Sequence, residues 1–470
     1  MESESEPRRS LGWRCLANLA DHAGVASVYQ SSLDVKLLIM QRFTRMFAYG
    51  ASTLVLVSFL RALDISETKI GLFMTLTLVG DIVISFVLAC YADAMGRRLT
   101  LLIGSALLIA SGVVFALSSS YWVLLVAAIV GVISPSGNEI GPFRAVEEST
   151  IAQLTAAQQR GDVYAWYTLC GSAGAAFGTM VSGWAIQAAL AKLDWQVVDI
   201  YRLVFYGYSG IGVVKTLLTL MLSPAVESEK RRKAQAKSNP GRPAEEEPLL
   251  PSNQESSETP DGGATASTLS SSGRKILICL CLLFGLDSLG SGLVPLSWIV
   301  HYFKSRFNLV EGSLGSIFFV THIIAAGSTL VASSLAKRLG NVPTMVFTHI
   351  PSSVFLALIP VPSELHWALT LLILRSCIQS MDVAPRSAFL AAILDPAERT
   401  MSLGLVKVVQ TTAQSIGPLI TGFLVEHNYF WVSFLCAGCL KITYDLGLLA
   451  LFKNAEHGNR GRNRAGEDGE

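Results

Sequence analysis

The chain has 470 residues, 51% hydrophobic and only 15% charged, with a formal net charge of +1. Soluble domains carry about 25% charged residues, so a string of soluble domains is excluded and an integral membrane protein is expected. The net charge singles out no partner, and no nucleic-acid binding is expected.

Residues 1–34 hold no long apolar core, so they read as a cytoplasmic tail without a signal peptide, and the first span serves as the targeting signal. A bilayer-spanning helix needs about 20 mostly apolar residues. Twelve such segments follow, at 35–61, 68–91, 99–119, 121–141, 163–188, 201–222, 275–303, 312–336, 342–361, 366–389, 400–425 and 429–452. The lipid bilayer is therefore a partner, and an all-α membrane protein is the expected fold class. Residues 35–222 and 275–452 form two groups of six spans, and 453–470 form a second cytoplasmic tail.

Lys and Arg beside the span ends set orientation. Arg97 and Arg98 follow span 2, Arg144 and Arg160 follow span 4, a cluster from Lys230 to Lys237 follows span 6, and Lys337 and Arg338 follow span 8. These loops share one side, assigned to the cytoplasm together with both termini. Lys304 and Arg306 are the exception.

Residues 223–274 are rich in Ser, Pro, Glu and Lys. Such a segment buries too little apolar surface to offset its ordering entropy, so a disordered cytoplasmic linker is expected. Within it EEEPLL, residues 245–250, fits an acidic dileucine signal: Glu245 stands four residues before Leu249 and Leu250. A sorting adaptor reading it would send the protein to a vacuolar or lysosomal membrane; otherwise the plasma membrane is the destination.

The two groups of spans repeat one another. GNEIGPFRA at 137–145 answers SMDVAPRSA at 380–388: a shift of 243 carries Glu139 onto Asp382 and Gly174 onto Gly417. A shift of 242 carries Arg45 and Gly50 onto Asp287 and Gly292, and one of 244 carries ADAMG at 92–96 onto AKRLG at 336–340.

Twelve spans in two repeated halves, a long middle loop and A-D-x-x-G-R-R after span 2 resemble the major facilitator superfamily of secondary transporters. Asp93, Gly96, Arg97 and Arg98 match its loop pattern, with Ala89 and Ala94 as departures. SPSGNEIGPFRAVE also resembles fungal and bacterial members of unsettled substrate. The resemblance implies two pseudo-symmetric six-helix bundles, a central cavity lined by helices 1, 4, 7 and 10, and a monomer. It further implies that the loop at Asp93 latches the halves together when the cavity faces outward, with Arg144 as candidate partner. Gly96 permits the tight turn there. The Gly-Pro pair that family antiporters carry in span 5 is absent, since Ala175 follows Gly174; Gly417-Pro418 stands in span 11 instead.

Ionisable side chains at bilayer depth are costly and usually face the protein interior. Arg45, Asp81, Asp287, Arg375 and Asp382 are the candidates for substrate binding or proton coupling. Asp287 is expected to carry the coupling proton, with Arg45 or Arg375 as charge partner. Lys441 and Asp445, four residues apart, are expected to pair with each other. Arg42, Lys215 and Lys407 are further charges within spans. GAAFG at 174–178 is a small-xxx-small pattern that lets helices approach closely. No Walker loop and no clustered His/Cys spacing occurs, so no cofactor, metal or enzymatic activity is expected. The expected function is secondary active transport of a small organic solute by alternating access, proton-coupled, in the direction of efflux or vacuolar sequestration. A facilitative uniporter or importer, or a non-transporting sensor on the same scaffold, is the alternative.

Overall fold

Gly96 and Gly340 both have φ of 100°, a backbone conformation strained for residues with a Cβ, and each sits at the tight turn between two spans. The repeat inferred from sequence is thus built into matching corners. The computed structural model describes residues 25–131, 133, 142–227, 271–394 and 398–467. Residues 228–270, with the dileucine motif at Glu245, Leu249 and Leu250, lie outside them, as does Glu139.

A short helix α1 (Val25–Gln30) leads into span 1, α2 (Leu33–Ala62). Spans 2 and 3 are α3 (Glu67–Met95) and α4 (Arg97–Leu117). Span 4 is made of α5 (Tyr121–Gly131) and α6 (Pro142–Leu154). Spans 5 and 6 are α7 (Arg160–Lys192) and α8 (Val197–Leu220). Span 7 is broken before Pro295, whose ring cannot continue a helix, into α9 (Ser271–Leu293) and α10 (Leu296–Phe307). Spans 8 and 9 are α11 (Glu311–Leu339) and α12 (Asn341–Leu358). Span 10 is divided into α13 (Leu365–Ile378) and α14 (Val383–Ile393). Spans 11 and 12 are α15 (Arg399–Glu426) and α16 (Phe430–Glu467). Eight helical stretches among the described residues are long and apolar enough to cross a membrane, and α5 and α13 are shorter apolar helices.

Packing repeats with a step of six spans. Span 1 packs on span 5 as span 7 packs on span 11, span 3 on span 6 as span 9 on span 12, and span 1 on span 6 as span 7 on span 12. The halves meet along spans 5 and 8 and, equivalently, along spans 11 and 2. Both seams are backbone against backbone: a Cβ on Gly71 would stand 2.5 Å from the Pro418 carbonyl, and one on Gly183 2.4 Å from the Glu311 carbonyl. Inside the N-terminal half, Gly174 and Gly178 approach the Phe43 and Phe47 carbonyls in the same way, as the small-xxx-small pattern predicts.

The linker begins in order. Ser223 donates its N–H and hydroxyl to Asp34, at 2.8 and 2.6 Å, and a 3₁₀ turn at Pro224–Val226 follows. Glu227 then accepts the Arg97 and Arg98 backbone N–H groups at 3.0 and 3.3 Å, capping α4.

Candidate functional site

Each half holds one buried charge network. In the N-terminal half Glu147 of α6 is the centre. Arg45 of α2 grips its carboxylate with both guanidinium nitrogens, at 2.5 and 2.7 Å. The Tyr167 hydroxyl donates to it at 2.7 Å, and Lys215 of α8 stands 3.9 Å away. The Arg42 guanidinium lies over the Tyr167 ring, 4.8 Å from its centroid. Arg45 and Lys215 are 1% exposed and Glu147 is 0% exposed. A bidentate, charge-assisted pair of this kind is a strong one.

In the C-terminal half Asp287 of α9 is the centre. Lys441 of α16 donates to its Oδ1 at 2.8 Å and to Ser291 at 2.6 Å. Arg386 of α14 reaches its Oδ2 at 3.0 Å and also pairs with Asp382 one turn earlier. His349 of α12 places Nε2 3.6 Å from Asp287 and Nδ1 2.9 Å from Asp445. Four spans thus converge on one carboxylate. The Arg386 guanidinium lies beside the packed pair of Phe284 and Tyr444 rings, 5.3 and 5.6 Å from their centroids.

This network forms one wall of a cavity of about 530 Å³, within the range of small-molecule sites. Arg375, Lys407, His322, Gln379, Gln410 and Gln414 add to its polar surface, while Val294, Ile299, Phe318 and Leu372 supply an apolar side.

Several expectations change. Asp287 is partnered by Arg386, Lys441 and His349, not by Arg45 or Arg375; Arg45 belongs to the other half, on Glu147. Lys441 and Asp445 do not pair with each other: facing Asp287 and His349 across helices satisfies both better than an i,i+4 contact on one helix. Arg144 pairs with Glu148 on its own helix at 2.6 Å. The side chain of its candidate latch partner, Asp93, lies outside the described set. Arg97 donates to Gln153 and Arg98 to the Leu220 carbonyl, both within the N-terminal half. Asp81 is buried in α3, and its Oδ1 has no hydrogen-bond partner among the described residues.

Glu147 lies beyond the predicted span 4, which stops at 141. In the structure α6 carries it: Phe143, Val146, Glu147, Thr150 and Ile151 are buried at helical spacing, while Arg144, Ala145 and Ser149 face out.

Polar contacts between the halves gather at the face opposite Arg97. The Thr68 N–H donates to Glu426 at 2.9 Å, the Gly312 N–H to Gln187 at 3.1 Å, and Trp184 to Ser316 at 3.0 Å. Lys304 bridges Glu311, Tyr201 and Ser58 at 2.8, 2.7 and 3.2 Å. That explains its exception to the charge pattern: it seals the halves together.

The sequence profile of the Major Facilitator Superfamily matches residues 38–381 and 276–469. The uncharacterized membrane protein YJR124C of Saccharomyces cerevisiae is 36% identical over 432 residues, covering 90% of this chain and 94% of that one. Among solved structures, a D-xylose-proton symporter superposes with a TM-score of 0.67 at 16% identity, covering 88% of this chain and 97% of its own. The nucleoside transporter NupG does so with a TM-score of 0.64 at 12% identity, covering 90% and 100%. Profile, relative and the six-span packing repeat agree: this chain is a multi-pass membrane protein of the Major Facilitator Superfamily, whose members are transporters rather than enzymes.

Proposed function

We propose that the chain is a secondary active transporter that moves a small organic solute by alternating access, coupled to protons, with the cavity of the C-terminal half as its working site. The observation that supports this most is Asp287, a single carboxylate shared by bases from spans 9, 10 and 12 at a cavity wall. Protonating it would release Arg386 and Lys441 together, so proton binding and the relative position of these helices are linked. Asp382 shares Arg386 and modulates the same site, whereas Asp81 is the reserve proton carrier in the other half.

The contacts at the face opposite Arg97 then correspond to the closed side of an inward-open state. The positive-inside rule makes the face with Arg97 and Arg98 cytoplasmic, together with both termini. In the outward-open state Asp93 and Arg144 come to the latch. The direction we propose is out of the cytoplasm, into a vacuole or lysosome reached through Glu245, Leu249 and Leu250.

Asp287→Asn mimics the protonated acid. In vesicles it should abolish gradient-driven accumulation and leave solute exchange largely intact. Full accumulation by the variant would remove Asp287 from the mechanism. A proton-independent uniporter is the second reading, favoured by the number of bases around Asp287, which would also serve a fixed ion-pair lattice; it predicts accumulation-free flux that is insensitive to a pH gradient in the wild type.

A further inference from the structure

Two cations at the cavity have no ion-pair partner among the described residues. Asp287 pairs with Lys441 and Arg386, Asp382 with Arg386, and Asp445 lies against the His349 ring. Arg375 of α13 and Lys407 of α15 line the same cavity, and among the described residues neither side chain forms an ion pair or a hydrogen bond. Arg375 is half-buried and Lys407 is exposed toward the cavity; an unmatched charge within a span is costly and marks a solute or ion path. The cost is recovered when an anion enters.

Resting on the transporter reading above, the geometry points to a small organic anion as the solute, its carboxylate or phosphate group held between Arg375 and Lys407. The planar guanidinium of Arg375 suits bidentate capture of either group, and Lys407 adds a point charge. Lys407, Gln410 and Gln414 recur at helical spacing on α15 and line the cavity together, and Gln379 faces them from the span-10 break. These amides offer both donors and acceptors to a hydroxylated body. A volume of about 530 Å³ admits a molecule larger than a bare inorganic ion.

The test uses the full-length protein in detergent. Its thermal midpoint is measured with succinate, glucose 6-phosphate, inorganic phosphate, glucose and choline chloride at equal ionic strength. Succinate or glucose 6-phosphate should raise the midpoint beyond chloride alone. Its Kd should weaken about tenfold or more in Arg375→Gln and in Lys407→Gln, as for loss of a charged hydrogen bond, and recover in Lys407→Arg. Without ligand, both glutamine variants should melt at or above the wild-type midpoint, because each removes an unmatched charge; binding loss is then not misfolding. The inference is overturned if neither organic anion shifts the midpoint, if glucose, choline or inorganic phosphate matches them, or if the shift survives both glutamine substitutions. Vesicle flux separates this from the broader reading. Gradient-driven flux of a neutral solute sinks the anion and leaves the transporter, while anion binding without flux does the reverse.

Discussion

The two halves carry one device with the signs exchanged. In the N-terminal half a cation on span 1, Arg45, meets an anion on span 4, Glu147, with Lys215 reaching in from span 6. In the C-terminal half an anion on span 7, Asp287, meets a cation on span 10, Arg386, with Lys441 reaching in from span 12. The difference lies in access. Arg45, Glu147 and Lys215 are at most 1% exposed, whereas Arg386 keeps 21% of its side-chain surface and borders the cavity. On our proposal, the same bridge is mortar where water is excluded and machinery where a proton or solute can reach it.

The sharpest way to break this contrast is Glu147→Gln. It leaves Arg45 and Lys215 buried without an anion, and breaking a buried pair costs about 3–5 kcal/mol. Expression should fall, and the thermal midpoint with it. A midpoint equal to wild type would mean that the N-terminal network is not structural.

Replacing the whole N-terminal group is the complementary experiment. Arg45→Met, Glu147→Leu and Lys215→Met together should restore folding, since apolar replacement of buried ion pairs is often neutral or stabilising by about 1–4 kcal/mol. Solute flux should persist in the triple variant. If it folds but moves nothing, the N-terminal network has a working role and the contrast fails.

Lys441→Gln tests the other side. Asp287 keeps Arg386 and borders the cavity, so the stability loss should be only about 1.5–3 kcal/mol, the range for a hydrogen bond to a charged group. Transport should suffer more than folding. A collapse as deep as that of Glu147→Gln would make the two networks equivalent.

The smallest effect is expected at the seal. Glu426, fully exposed and just past the predicted span 400–425, accepts the Thr68 N–H, and this bond holds its carboxyl below the usual glutamate range. A lowered value means that the contact is present above the ordinary glutamate range and is lost as pH falls through the lowered one. Collision of a spin label, attached at neutral pH to a cysteine at Ser58 in a background freed of other cysteines, with a neutral water-soluble paramagnetic reagent should rise modestly with acid when Glu426 is intact. In Glu426→Gln it should not respond to pH. An unchanged acid response in that variant would assign the effect to another group.

Much of this contrast is legible in the sequence, but unevenly. Twelve apolar segments are legible in the sequence, eight of them matching helices long and apolar enough to cross a membrane among the described residues, and the shift of 242 that pairs Arg45 with Asp287 names the centre of one network and a member of the other. The partners are harder. Glu147 hides in VEEST, where two adjacent acids and a serine look like loop, and only the spacing of its buried neighbours shows that the helix continues. Arg386 was visible only as a repeat of Arg144, yet one turns inward to Asp287 while the other pairs with Glu148 on its own helix. Lys441 and Asp445 obey a rule for isolated helices that packing overrides, because span 7 and span 9 bring them stronger partners. Periodicity gives the face of a helix; it does not give the helix that will stand opposite.

The seams at Gly71 and Gly183 bear on how fast such a molecule can work. Where large side chains interdigitate across an interface, sliding requires each one to leave its rotamer well and find another, and the surface behaves like meshed teeth. Here bare backbone meets bare backbone where Gly71 packs on Pro418 and Gly183 on Glu311, so these points resemble plain bearings, while Phe177 against Phe319 and Trp184 against Ser316 are the teeth that remain between spans 5 and 8. Rolling one helix over the other at the glycines leaves little to unlock. In the alternating-access cycle we propose, the friction then falls on the few side chains across the seam and on the polar clasps at the rim, which can be tuned residue by residue without touching the glycines.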